Sequence, residues 1–71
     1  MLNKINEYMK GFGFTVIDGD GEYLSFKSET KTEEQGRVLV GTIKNQFGKG
    51  NLIVDLFVYP KHIIIEIRLK T

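Results

Sequence analysis

The sequence predicts an α+β fold in which a short N-terminal helix packs on one face of a five-stranded antiparallel sheet. The sheet is expected to be mostly a meander, with room to curl toward a barrel. Three observations carry this. Apolar side chains recur at helical spacing at the start, strand-like runs fill the rest, and turn residues separate those runs.

The opening segment, "MLNKINEYMKGFG", places Leu2, Ile5, Met9 and Phe12 at spacings of three, four and three, with Tyr8 at the margin. That is one face of a helix over residues 2–11. Asn3 is a candidate cap for its start, and Gly11 or Gly13 a candidate left-handed residue for its end. A helix of about ten residues is unstable alone in water. It must therefore lie against an apolar surface.

Strands are expected at about 14–17, 22–28, 36–44, 51–59 and 62–70. The "DGDGE" between the first two has the look of a calcium loop. A frame starting at Asp18 supplies acids at the first, third and twelfth positions but puts Tyr23 where the sixth must be glycine. A frame starting two residues earlier repairs the glycine and puts Val16 and Lys27 at the first and last ligand positions. Neither frame closes a site, so the stretch reads as a hairpin turn. Pairing Asp18 with Glu22 would set Val16 against Leu24 and Phe14 against Phe26, with Gly21 in a left-handed bulge.

The stretch "SETKTEEQG" reads as an exposed loop. "GRVLVGTIK" alternates and reads as the third strand, with Leu39, Gly41 and Ile43 facing the helix. The last two strands can be placed in register. With Pro60 in a turn spanning 59–62, Val58 faces Ile63, Leu56 faces Ile65, Val54 faces Ile67 and Leu52 faces Leu69. A slip of one residue would set this apolar set against Asp55, Glu66 and Arg68, so the register is strongly specified. One short helix is a small lid for that face. A curled sheet or a homodimer would solve the problem.

Composition narrows the function. The 71 residues form a single domain, 1–71, with 10 Lys+Arg against 9 Asp+Glu and a formal charge of +1. This balance does not steer the whole molecule toward nucleic acid. There is no cysteine and one histidine, His62, so disulfide, thiolate and histidine-rich metal chemistry are excluded. No metal and no cofactor is expected. No apolar run approaches the length of a membrane helix, and a soluble, cytoplasmic protein is expected.

Three surfaces are candidates. The sheet face away from the helix mixes apolar and charged residues, and Val38, Val40, Phe57, Tyr59, Ile64 and Arg68 are its candidate partner-binding residues. The "KNQFGKGN" loop offers Lys44, Phe47 and Lys49, with Lys61, for stacking a base and neutralising phosphate. The "YPKH" turn offers Tyr59, Lys61 and His62, with Arg37, for the acid–base work of a small ribonuclease-like toxin. No nucleophile, paired base or acidic dyad accompanies His62, so catalysis is not expected. The leading expectation is a small non-enzymatic protein-binding module of inhibitor or adaptor type, a kind of protein that phages and mobile elements encode. Nucleic-acid binding is the alternative from another class.

Overall fold

The structure, a computed structural model, describes residues 2–48 and 51–70. The elements run α1 (Leu2–Gly11), β1 (Thr15–Gly19), β2 (Tyr23–Ser28), α2 (Glu33–Ile43), β3 (Leu52–Val58) and β4 (Ile63–Leu69), with a π turn at Lys44–Gly48. The four strands form one antiparallel sheet in the order β1-β2-β4-β3. The α+β class stands. The five-stranded meander does not: the sheet has four strands, is not closed into a barrel, and joins its two hairpins through β2 and β4.

The missing strand is a helix. Residues 36–44 alternate on paper, but Gly36, Leu39 and Ile43 are the buried ones, with Val40 half-buried beside them. Spacings of three and four make a helical face. Its start is fixed by a capping box inside the supposed loop. Thr32 Oγ1 accepts from the Gln35 backbone N–H at 3.2 Å, and Gln35 Oε1 accepts from the Thr32 N–H at 2.9 Å. Glu33 and Glu34 lie in the first turn, where the helix dipole favours negative charge. Upstream, the Ser28 hydroxyl accepts from the Thr30 and Lys31 backbone N–H groups at 3.3 and 3.2 Å, so the 28–32 segment is held by short-range bonds. Gly36 allows α2 to sit close on the sheet. A Cβ there would stand 2.9 Å from Ile63 Cδ1 and 3.1 Å from Leu56 Cδ1. Gly41, expected to face the helix from the third strand, is instead an exposed helical residue with nothing near its Cβ position.

α1 ends as its glycines suggest. Gly13 has φ +84°, Phe14 N–H donates to the Met9 carbonyl at 3.2 Å, and Gly13 N–H donates to that of Lys10 at 3.1 Å. This pair of bonds is a Schellman motif, and Met9 and Phe14 make its hydrophobic contact in the core. Asn3 lies inside the helix rather than capping it.

The two hairpins differ in how they meet expectation. Between β3 and β4, Leu52, Val54, Leu56 and Val58 face Leu69, Ile67, Ile65 and Ile63, the register the alternation specifies. Between β1 and β2 the register is two residues off before a bulge at Ile17, where Val16 faces Phe26 and Thr15 faces Lys27, and three residues off beyond it, where Asp18 faces Ser25 and Gly19 faces Leu24. The bulge turns Asp18 away from the core. Gly21 does not take a positive φ, because the Asp20 side chain makes the turn instead. Its Oδ1 accepts from the Glu22 and Tyr23 N–H groups at 2.7 and 3.2 Å.

Both helices lie on the same face of the sheet. Ile5 and Met9 of α1, Leu39 and Ile43 of α2, and Phe14 close over Phe26, Leu52, Val54, Ile63, Ile65 and Ile67. The second helix is the lid that one helix could not be, so neither a barrel nor a dimer is needed to close this core. The cover thins along β3, from buried Leu52 and Val54 to half-buried Leu56 and exposed Val58.

Candidate functional site

Among the described residues, no second layer covers the face of the sheet opposite the helices. Side chains alternate along each strand, so the register sorts this face into rows. At the β3–β4 turn, Tyr59 stacks on His62 with ring centroids 4.7 Å apart. The next row is Phe57, Ile64, Lys27 and Thr15. Then comes an acidic row of Asp55, Glu66, Ser25 and Asp18, and then Ile53, Arg68 and Tyr23. The face is therefore graded from apolar at the turn to charged in the middle.

Its large apolar side chains are open to solvent: Ile53, Phe57 and Tyr59 are 42%, 43% and 45% exposed. Glu66 is held from both sides. Arg68 Nε donates to its Oε1 at 2.9 Å, and the Ser25 hydroxyl donates to its Oε2 at 3.4 Å. Asp18 and Tyr23 pair across the hairpin, with the Tyr23 hydroxyl donating to Asp18 Oδ2 at 2.9 Å. That hydrogen bond raises the Tyr23 pKa above its ordinary 10.0. Slight desolvation and the negative charges of Asp18, Asp20 and Glu66 push the same way. Among the described residues Asp55 has no cationic group within salt-bridge distance.

Of the residues expected to bind a partner, Phe57, Tyr59, Ile64 and Arg68 share this face. Val38 and Val40 do not, because they belong to α2 on the other side of the sheet. Val40 is half-buried against the core, and Val38 is 67% exposed. Val38 instead lines a groove of about 430 Å³ between the helices, with Tyr8 and Phe12. Ile53 joins the open face by the parity that places Phe57, and Ile17 is 48% exposed at the bulge, which no alternation reveals.

The residues of the nucleic-acid reading are not brought together as a stacking tip. Phe47 is half-buried, packed on the core and edge-on to Tyr8 with centroids 5.4 Å apart. Lys44 is exposed at the end of α2, and Lys61 is exposed in the Pro60–Lys61 turn, at the other end of β3 from the chain entering Leu52. Lys49 lies outside the described residues. The acid–base set is divided as well. His62 stacks with Tyr59 on the open face, whereas Arg37 stands on the helix layer, bonded to Glu33 at 3.0 Å. Among the described residues no group of three acids or histidines is placed to hold a metal ion.

No family model, curated protein or solved structure matches the chain. What the fold and its surface define is a small single-domain α+β protein with an antiparallel sheet layered by helices on one side and open on the other. No helix among the described residues is long and apolar enough to cross a membrane.

Proposed function

We propose that the protein is a non-enzymatic protein-binding module, of the inhibitor or adaptor kind, that docks its partner on the open face of the sheet. The observation that supports this is the row of large apolar side chains left uncovered while both helices pack on the other face. Ile53, Phe57 and Tyr59 are each more than two-fifths exposed, with Ile64 half-buried between them. Water-exposed aromatic and branched side chains interleaved with fixed charges have the make-up of a partner surface. The Glu66–Arg68 pair gives that surface direction. A cytoplasmic setting suits a chain without cysteine.

The test is capture from a nuclease-treated native lysate, comparing the wild-type protein with Phe57→Asp and Ile64→Asp, each checked for fold by circular dichroism. The expected result is a protein partner that survives nuclease and is lost with either variant. Capture that persists in both variants, or that vanishes with nuclease, overturns the proposal.

A further inference from the structure

The sheet has two edges, and they are built differently. β1 is short, broken by its bulge at Ile17, and ends in an acidic turn, features that discourage another strand from adding. β3 has none of these defences. Its seven residues pair with β4 in one unbroken register, with no proline, lysine or bulge between Leu52 and Val58.

The hydrogen bonds at its ends show which backbone groups are free. Tyr59 N–H donates to the His62 carbonyl at 2.9 Å, and Lys70 N–H donates to the Asn51 carbonyl at 2.8 Å. Antiparallel pairs alternate between bonded and non-bonded. The odd-numbered residues of β3 thus bond β4, and Leu52, Val54, Leu56 and Val58 direct their N–H and C=O groups to the free edge. A strand added there would bond those four, and would meet Ile53, Asp55 and Phe57 in non-bonded pairs. Non-bonded pairs bring side chains closest.

We infer that the free edge of β3 takes an extended segment of a partner protein as an additional antiparallel strand, with lysine or arginine opposite Asp55 and apolar residues opposite Ile53 and Phe57. This rests on the reading of the protein as a protein-binding module and adds the mode of binding and the chemistry of the partner. Asp55 sits in the middle of the edge, faces Glu66 across the pair, and has no cationic partner among the described residues, while Arg68 is bonded to Glu66. A cation opposite Asp55 completes the acidic row. On the helix side, Arg37 and Val40 of α2 leave a cleft of about 270 Å³ above Leu56 and Val58, open beside the same edge.

A second copy of this chain fits the edge poorly. Centred on Asp55, the two strands would set Asp55 against Asp55, with a Glu66 beside each. Shifted by two residues, each Asp55 carboxylate would face Ile53 or Phe57 without a partner. Like charges directly opposite are destabilising, and so is an unpaired carboxylate against apolar groups.

The test uses the full chain and two synthetic peptides of about nine residues, long enough to span β3. They alternate valine and threonine and differ only at the centre, arginine in one and glutamate in the other. The expected result is three- to tenfold tighter binding of the arginine peptide, about what opposite- against like-charge cross-strand pairs differ by. The order should reverse in Asp55→Lys, and binding should vanish when the peptide amides facing β3 are N-methylated. Equal affinities, an unchanged order in Asp55→Lys, indifference to N-methylation, or no binding overturns the inference. So does a wild-type dimer in sedimentation that must dissociate before peptide binds, since that gives the edge to a second copy. The loss of lysate capture in Ile64→Asp tests the open face, and the peptide order in the wild type and Asp55→Lys tests the edge, so failure of either idea is visible without the other.

Discussion

At the scale of the residue, the acidic turn is the clearest case of side chains that resemble chemistry and act as structure. Asp18 and Asp20 have the spacing of calcium ligands. In the fold they also build the turn: Asp18 Oδ1 accepts from the Gly19 N–H at 2.8 Å, and Asp20 Oδ1 from two further backbone groups. The failure of the calcium frames was legible in the sequence, because it needs only residue identities. The register was not, because the Asp20 side chain sets the turn at Gly21–Glu22, later in the chain than the expected glycine bulge, and the extra residue is absorbed at Ile17. The same turn makes Tyr23 a reporter. Its hydroxyl donates to Asp18, which favours the neutral phenol and raises its pKa above 10.0. A raised folded-state value means the contribution to stability is complete below the ordinary value and is lost as pH climbs through the raised one. Tyr23 is therefore expected to ionise above its ordinary value in a phenolate absorbance titration of the folded protein. Asp18→Ala should bring it back toward 10.0. A titration that Asp18→Ala leaves unchanged would contradict the assigned hydrogen bond.

At the scale of the element, the second helix shows what alternation can and cannot decide. Val38, Leu39, Val40, Thr42 and Ile43 are rich in β-branched residues, and over nine positions they fit both a period of two and a period of 3.6. The local cue that resolves this is polar, not apolar. Thr32 and Gln35 stand three apart, with two acids between them and an apolar stripe beyond. The β3–β4 hairpin had no such conflict, since the apolar residues Leu52, Val54, Leu56 and Val58 and their partners agree on one register, and there the sequence reading and the structure coincide. Val38 and Val40 left the candidate surface for the same reason that the strand became a helix. If the capping box sets the start of α2, Thr32→Ala should cost about 1 kcal/mol of stability in urea denaturation. Thr32→Ser, which keeps the acceptor, should cost much less. Equal losses for the two would assign the effect to something other than the cap.

At the scale of the whole molecule, a two-layer domain with one bare face divides its apolar residues into two classes that respond differently to substitution. Stability of roughly 0.05–0.15 kcal/mol per residue gives a chain of 71 residues about 4–11 kcal/mol in total. Ile5 is fully buried where α1 meets the sheet. Ile5→Ala removes methylene groups and leaves a cavity, at a cost of about 2–5 kcal/mol. That is a large share of the whole, because α1 has little else to hold it than the face it covers. Phe57 is of similar apolar character but 43% exposed, with no layer above it. Phe57→Asp should cost about 1 kcal/mol or less, the span of strand propensity. The contrast is measurable as two urea midpoints against wild type, one displaced strongly and one slightly. A large loss for Phe57→Asp would mean that the open face is already covered in solution, by a second copy of the chain. A small loss leaves Phe57, Tyr59, Ile53 and Ile64 as apolar residues that the fold does not require, and it is this freedom from structural duty that makes them available for a partner.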